Sequence, residues 1–287
     1  MSTPAAERTE RQYTSLLRVI GDEYGAGGRE VLGVARAGLG ALQREGKALL
    51  VELVDLWAES IQEGRGLFNK PDRLWGATSA EETLDLIGQT TVGPWQMTDW
   101  NIRDVYGVPY GVRKEWTRTE LVEYVKARPV IQAKMISDYV QGAYAAWGRR
   151  SPHGIQHYFW LEAYLKGDIG QGAWDAPVLV LPDASGKVAV TPEAMRRTGF
   201  YAKQIILGHR GNPHGLLYWL WRLDDEDGMR GVIATWKAQR RWVWDAEAKA
   251  PRETPEPGGY AIAPDDVKFC DCHPEFRARL RGLIASS

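Results

Sequence analysis

Apolar residues in the stretch 50–61 recur three and four apart, at Leu50, Leu53, Val54, Trp57 and Ile61. Only an α-helix gathers such positions on one face, and that face must be buried against other parts of the chain. The same period recurs along most of the sequence, so it predicts a mainly α-helical fold. Residues 7–23 read as a first helix, stopped by the glycines of "GAGG" at 25–28. Helical spacing then runs over 29–63, broken by Gly38, Gly40 and Gly46. Thr117 and Glu120 make a capping box, and Pro129 suits the first turn of the next helix. There Ile131, Met135, Ile136, Tyr139, Val140, Ala143 and Trp147 trace a second apolar stripe. "TSAEETLDLIG" and "IQHYFWLEAYLKG" add shorter helices. A further helix runs from Thr191 as N-cap and Pro192 in the first turn to Gly208 just past its end.

β signals are few. "QTTVGPWQMTDW" at 89–100 reads as a strand or hairpin, and "VLVLPDASGKVAV" at 178–190 as a hairpin around a glycine turn. The expected class is therefore mainly α (α+β), with a small β-region. Three segments are expected: an N-terminal helical segment over 1–46, a central domain over 47–208, and a Trp-rich C-terminal extension over 209–287. The last holds Trp219, Trp221, Trp236, Trp242 and Trp244, and "APRETPEPGG" reads as a Pro-rich loop.

A chain of 287 residues, 44% of them hydrophobic, can bury a sizeable core. Its formal net charge is −1, and no block of Lys or Arg marks a nucleic-acid surface, so no nucleic-acid partner is expected. No apolar run is long enough to span a bilayer. The first residues, "MSTPAAERTERQ", lack the order of a secretory signal, which points to cytoplasmic synthesis. The 13 Trp and 12 Tyr stand against 5 Phe. Amphipathic aromatics suit either a surface that stacks on sugar rings or an aromatic core, and both remain open here.

Glu59 is the carboxylate of greatest interest. On spacing alone it joins Glu52, Asp55 and Glu63 on one helix face, and a charge run of that kind is usually solvated. The order of motifs around it gives another reading. Glu59-Ser60 ends a helix; "GPWQM" follows with Gly93 and Gln96; "AYLKGDIGQG" holds Ala163, Tyr164, Gly167 and Gly170; "RTGFYAKQI" holds Thr198, Tyr201 and Ile205. In this order the chain resembles the lysozyme-like superfamily, closest to soluble lytic transglycosylases and goose-type lysozymes. Four motifs span about residues 50–208. The family's Asn in the third motif is Leu165 here, its Leu-Met is Pro94-Trp95, and the interval from Glu59 to Gly93 carries an extra predicted helix.

The resemblance implies that Glu59 is a general acid/base acting on β-1,4 bonds of an amino-sugar polymer, most directly peptidoglycan. It places Ser60, Gly93, Trp95, Gln96, Tyr164 and Tyr201 around the substrate. An acid of this type must protonate the leaving oxygen as oxocarbenium character builds at the sugar. In the transglycosylase route the substrate's own hydroxyl closes an anhydro ring and one Glu suffices. An inverting hydrolase of a chitosan-like or other polysaccharide needs a second carboxylate with room for water, and Asp99 and Asp104 are the candidates. A turn cap for Asp99 and a helix-start charge for Asp104 are the plainer roles. A non-catalytic glycan-binding or tail-structural protein is the alternative of another class. Contact with the cell wall would require delivery by a phage or an injection apparatus. No cofactor is implied. "CDCH", with Cys270, Cys272 and His273, offers zinc-ligand types that would need a fourth ligand from elsewhere, such as His209 or His214; free thiols are expected instead and no metal is assigned. No phosphate loop, dinucleotide fingerprint or nucleophile elbow is present.

Overall fold

The computed structural model describes residues 4–21, 23–78, 91–99, 101–147, 206–208, 212, 214–237, 240–245, 250–257 and 273–286. The chain forms two compact units, Met1–Gly142 with His214–Asp225, and Ala143–Pro213 with Glu226–Ser287. The described residues are mainly helical with a small β component, as the periodicity predicts.

In the first unit, α1 (Pro4–Ile20), α2 (Gly25–Arg44) and α3 (Leu53–Gly64) pack on one another. The sequence sets residues 1–46 apart, whereas α1 and α2 share a unit with α3. "GAGG" is not a stop but the first turn of α2. Its glycines are there for close approach: a Cβ on Gly27 would stand 2.2 Å from the Phe68 carbonyl oxygen, and one on Gly28 would stand 2.4 Å from the Tyr24 Cβ. The break before it falls at Gly21, whose φ of 49° lies in the left-handed region.

Ten of the twelve residues of α3 are buried. Its start is tied to α1, where the Gln12 amide donates to Glu52 at 2.7 Å and accepts from the Val54 N–H at 3.2 Å. Within the helix start, the Glu52 N–H donates to the Asp55 carboxylate at 2.8 Å. On one side Trp57 enters an aromatic cluster. Its ring lies edge-on to Tyr24 at 5.4 Å and to Trp219 at 5.5 Å, and stacks on Phe68 at 5.8 Å. Trp219 comes from α6, the helix Leu216–Arg222 that returns to this unit late in the sequence.

Three short strands follow α3: β1 (Ala77–Thr78), β2 (Thr91–Val92) and β3 (Met97–Thr98), antiparallel in that order. Thr91 faces Thr98 and Val92 faces Met97, so "GPWQ" is the hairpin turn. A π-helical turn, Asn101–Tyr106, leads on to α4 (Arg118–Ala127). Thr117 and Glu120 form the expected capping box, and Pro129 opens α5 (Pro129–Trp147). In the second unit, α7 (Glu226–Lys237) buries Met229, Val232, Ile233 and Trp236, and α8 (Pro274–Ser286) buries Phe276, Leu280, Leu283 and Ile284. "APRETPEPGG", expected as a loop, instead contributes β5 (Ala250–Pro257), antiparallel to β4 (Arg240–Asp245). Proline fits there because a two-stranded sheet consists of edges, where a missing N–H removes no ladder bond. The hairpin expected at 178–190 and the helices expected at 79–88, 155–167 and 191–205 lie outside the described residues.

The end of α3 touches the hairpin turn backbone to backbone. A Cβ on Gly64 would stand 2.0 Å from the Pro94 carbonyl oxygen. Gly64→Ala is therefore expected to lower the melting temperature, at a cost of roughly 1–3 kcal/mol for an overpacked contact. Gly142→Ala, in a helix where no described residue lies within 4 Å of the added carbon, should raise it slightly. Paired thermal melts check both signs.

Candidate active site

The polar face of α3 is not solvated. Asp55 is 4% exposed and Glu59 3% exposed, while Glu63, one turn further on, is half-buried. Burying a carboxylate costs stability unless partners offset it. For Asp55 the Glu52 N–H supplies one at 2.8 Å. For Glu59 the neighbour that matters comes from α5. Tyr139 is 6% exposed, and burial, then the charge of Glu59, then Tyr106 and Glu63, hold its hydroxyl well above the ordinary tyrosine range. Tyr139 therefore stays a neutral phenol over the ordinary working range, near enough to Glu59 for that charge to act on it. Its ring packs edge-on against Tyr106 at 5.3 Å.

Sequence reasoning places Tyr139 in an apolar stripe and assigns the hydroxyls near Glu59 to Tyr164 and Tyr201. Those two lie outside the described residues. The only signal for Tyr139 was a phenol among aliphatic residues, which periodicity counts as apolar.

"GPWQ" does a different job from the one expected. Trp95 is 2% exposed, its indole N–H donates to the Leu56 carbonyl of α3 at 2.9 Å, and its ring packs on Trp75 at 5.9 Å. It is a core residue and presents no face for a sugar. Gln96 turns back on its own hairpin, its amide donating to the Gly93 carbonyl at 2.7 Å and accepting from the Thr91 hydroxyl at 2.7 Å. Gln96 also carries a φ of 47°, a left-handed backbone that the closed turn supports. Gly93 has a φ of 73° and packs on Gln132 of α5, whose side-chain oxygen would stand 2.0 Å from an added Cβ. The glycine makes room for a side chain rather than a ligand. Gln132 is fully buried and donates to the Val92 carbonyl at 2.6 Å, which holds the hairpin against α5. Ser60 is also turned inward, its hydroxyl donating to the Trp57 carbonyl at 2.8 Å.

Asp99 is 3% exposed, with Arg103 at 2.9 Å and Arg118 at 3.6 Å from the same carboxylate oxygen. A carboxylate engaged by two guanidiniums is less disposed to activate a water molecule, which counts against Asp99 as an inverting base. Asp104 lies half-buried in the π-helical turn. Among the described residues no three metal-ligand side chains gather, while Cys270 and Cys272 lie outside them. No described helix is long and apolar enough to cross a membrane.

The aromatic residues of this unit that the structure describes are largely interior: Trp57, Trp95, Trp219, Tyr24 and Tyr218 rank among the most buried side chains. Trp95→Ala should therefore cost about 3–5 kcal/mol, the usual loss for a truncated core aromatic, read as a fall in denaturation midpoint. Alkaline pH provides a second check. Burial holds Tyr24 and Tyr139 above the ordinary range and pushes Tyr106 up to about 12. Folded values raised above unfolded ones give stability that is complete below about pH 10 and lost as pH rises. Tyrosinate absorbance should show these three ionising together with unfolding, not before it.

No family model, no curated protein and no solved structure matches the chain.

Proposed function

We propose that the first unit cleaves β-1,4 glycosidic bonds of an amino-sugar polymer, peptidoglycan foremost, with Glu59 as the proton donor. The observation that carries this reading is the setting of the Glu59 carboxyl. It is 3% exposed, with the buried Tyr139 near enough to feel its charge, in the turn before the helix meets a three-stranded antiparallel sheet. The order of helix, Glu-Ser, glycine-bearing hairpin and packed helices agrees with the lysozyme-like resemblance.

The chemistry follows from what surrounds the acid. Protonating the leaving oxygen needs one carboxyl shielded from bulk water. Asp99, the first candidate for a second carboxylate, is taken by Arg103 and Arg118. This favours the route in which a substrate hydroxyl attacks and a 1,6-anhydro end forms, over an inverting hydrolysis.

A second reading, a glycan-binding or structural shell without turnover, draws on the internal engagement of Trp95 and Gln96. Glu59→Gln separates the two. The amide is nearly isosteric but has no proton to give, so cleavage of peptidoglycan is expected to fall about a hundredfold or more with the melting temperature kept or raised. Turnover unchanged in that variant would remove Glu59 from the chemistry.

A further inference from the structure

The segment His214–Asp225 belongs to the first unit, yet the stretches that flank it in the chain belong to the second. Its place in the first unit is therefore set by contacts, not by the chain on either side. Most of the hold is apolar and does not titrate. Trp219 packs edge-on against Trp57 of α3 at 5.5 Å, and Leu216, Leu217 and Leu220 are buried. At the far end the Asp225 carboxylate pairs with Arg8 of α1 at 3.4 Å.

His214 holds the near end, through its backbone and through its ring. Its carbonyl accepts from the Gln62 amide of α3 at 3.1 Å and from the Trp219 indole N–H at 3.0 Å. The ring is buried, stacks on Tyr218 at 3.9 Å and 9° from parallel, and carries its Nδ1 3.2 Å from the Tyr24 hydroxyl, where the two share one hydrogen. An imidazole changes charge just below neutrality, and burial opposes that change by removing the water that would solvate the cation. Charged side chains reach the ring from three sides. Glu23, before α2, brings an oxygen to 3.7 Å from Nδ1, but the same oxygen lies 3.4 Å from Arg65, which follows α3. Arg65 also lies over the Tyr24 ring at 5.4 Å, and Arg222 of α6 over the Tyr218 ring at 5.8 Å. Two guanidiniums thus stand one ring away, against one exposed carboxylate already paired.

We propose that His214 is a proton sensor for this segment, and that uptake of one proton by its ring weakens the hold of the segment on the first unit. The proposal is independent of the reading of Glu59. The neutral ring fits among Tyr24, Tyr218 and Trp219, whereas the cation gains water only by moving out. When it moves, the His214 carbonyl leaves Gln62, and α6 loosens with it. The ring binds a proton less readily in the closed segment than in the open one. Closure is therefore strongest above the open-state value of about 6.5 and weakens as pH falls below it. Loosening takes Trp219 off Trp57, two residues before Glu59 on α3.

Hydrogen exchange of the full chain, read by mass spectrometry on peptides covering 214–225 and corrected for the intrinsic pH dependence of exchange, tests this. Protection of these peptides should fall about fivefold from pH 7.5 to pH 5.5, while peptides of α1 keep theirs. His214→Gln still exchanges a hydrogen bond with the Tyr24 hydroxyl but takes no proton, so its protection should be equal at the two pH values. Glu23→Gln removes the nearest carboxylate from an exposed position. Its loss should exceed that of the wild type and approach about tenfold, the ceiling for one imidazole at pH 5.5. Equal protection of the wild type at both pH values overturns the proposal, as does a His214→Gln chain that loses protection as the wild type does. Should melting curves show that His214→Gln is unfolded, Glu23→Gln decides, and a loss no larger than that of the wild type overturns the proposal.

Discussion

The contact between Gly64 and the Pro94 carbonyl fixes the arrangement around Glu59. It exists because α3 is surrounded: α1 and α2 pack against it, Trp57 enters the aromatic cluster, and the hairpin turn presses on its last residue. A side chain at position 64 would push the hairpin off the helix end. The Trp95 N–H to the Leu56 carbonyl and the Gln132 amide to the Val92 carbonyl then lock the turn between α3 and α5. With no solvent face left, the charged residues of α3 go inward or to the helix ends. Glu59 is buried by the same packing that seats the sheet.

That enclosure gives the carboxyl its chemical character. In a dry setting, hydrogen bonds and nearby charges act more strongly than in water, and each buried polar group needs a partner. The other buried acids have structural duties. Asp55 caps the start of α3 at 2.8 Å, and Asp99 binds two arginines. Near Glu59 stands Tyr139, whose hydroxyl burial holds well above the ordinary tyrosine range.

Much of the fold was legible in the sequence. The spacing of Leu53, Val54, Trp57 and Ile61 predicted α3, Thr117 with Glu120 predicted the start of α4, Pro129 opened α5, and "TVGPWQMT" gave the β2–β3 hairpin. Failures came where a residue type has two uses. The glycines at 25–28 read as a break because glycine often ends helices, but Gly27 and Gly28 serve close packing. The prolines at 251, 255 and 257 read as a loop, but an edge strand tolerates them. Glu59 with Glu63 read as a solvated charge run because periodicity cannot tell a polar face from one buried against tyrosine. Trp95 read as a groove aromatic because the partner that buries it, α3, is nearly forty residues away, a contact no local pattern encodes.

Product mass tests the central claim most directly: that one shielded carboxyl, Glu59, cleaves an amino-sugar polymer. Purified peptidoglycan incubated with the full chain is separated and weighed fragment by fragment. The account predicts soluble muropeptides ending in a 1,6-anhydro ring, each one water lighter than the corresponding reducing-end fragment. Fragments carrying only reducing ends would contradict the single-carboxylate route, and intact peptidoglycan after incubation would contradict the assignment of Glu59 itself.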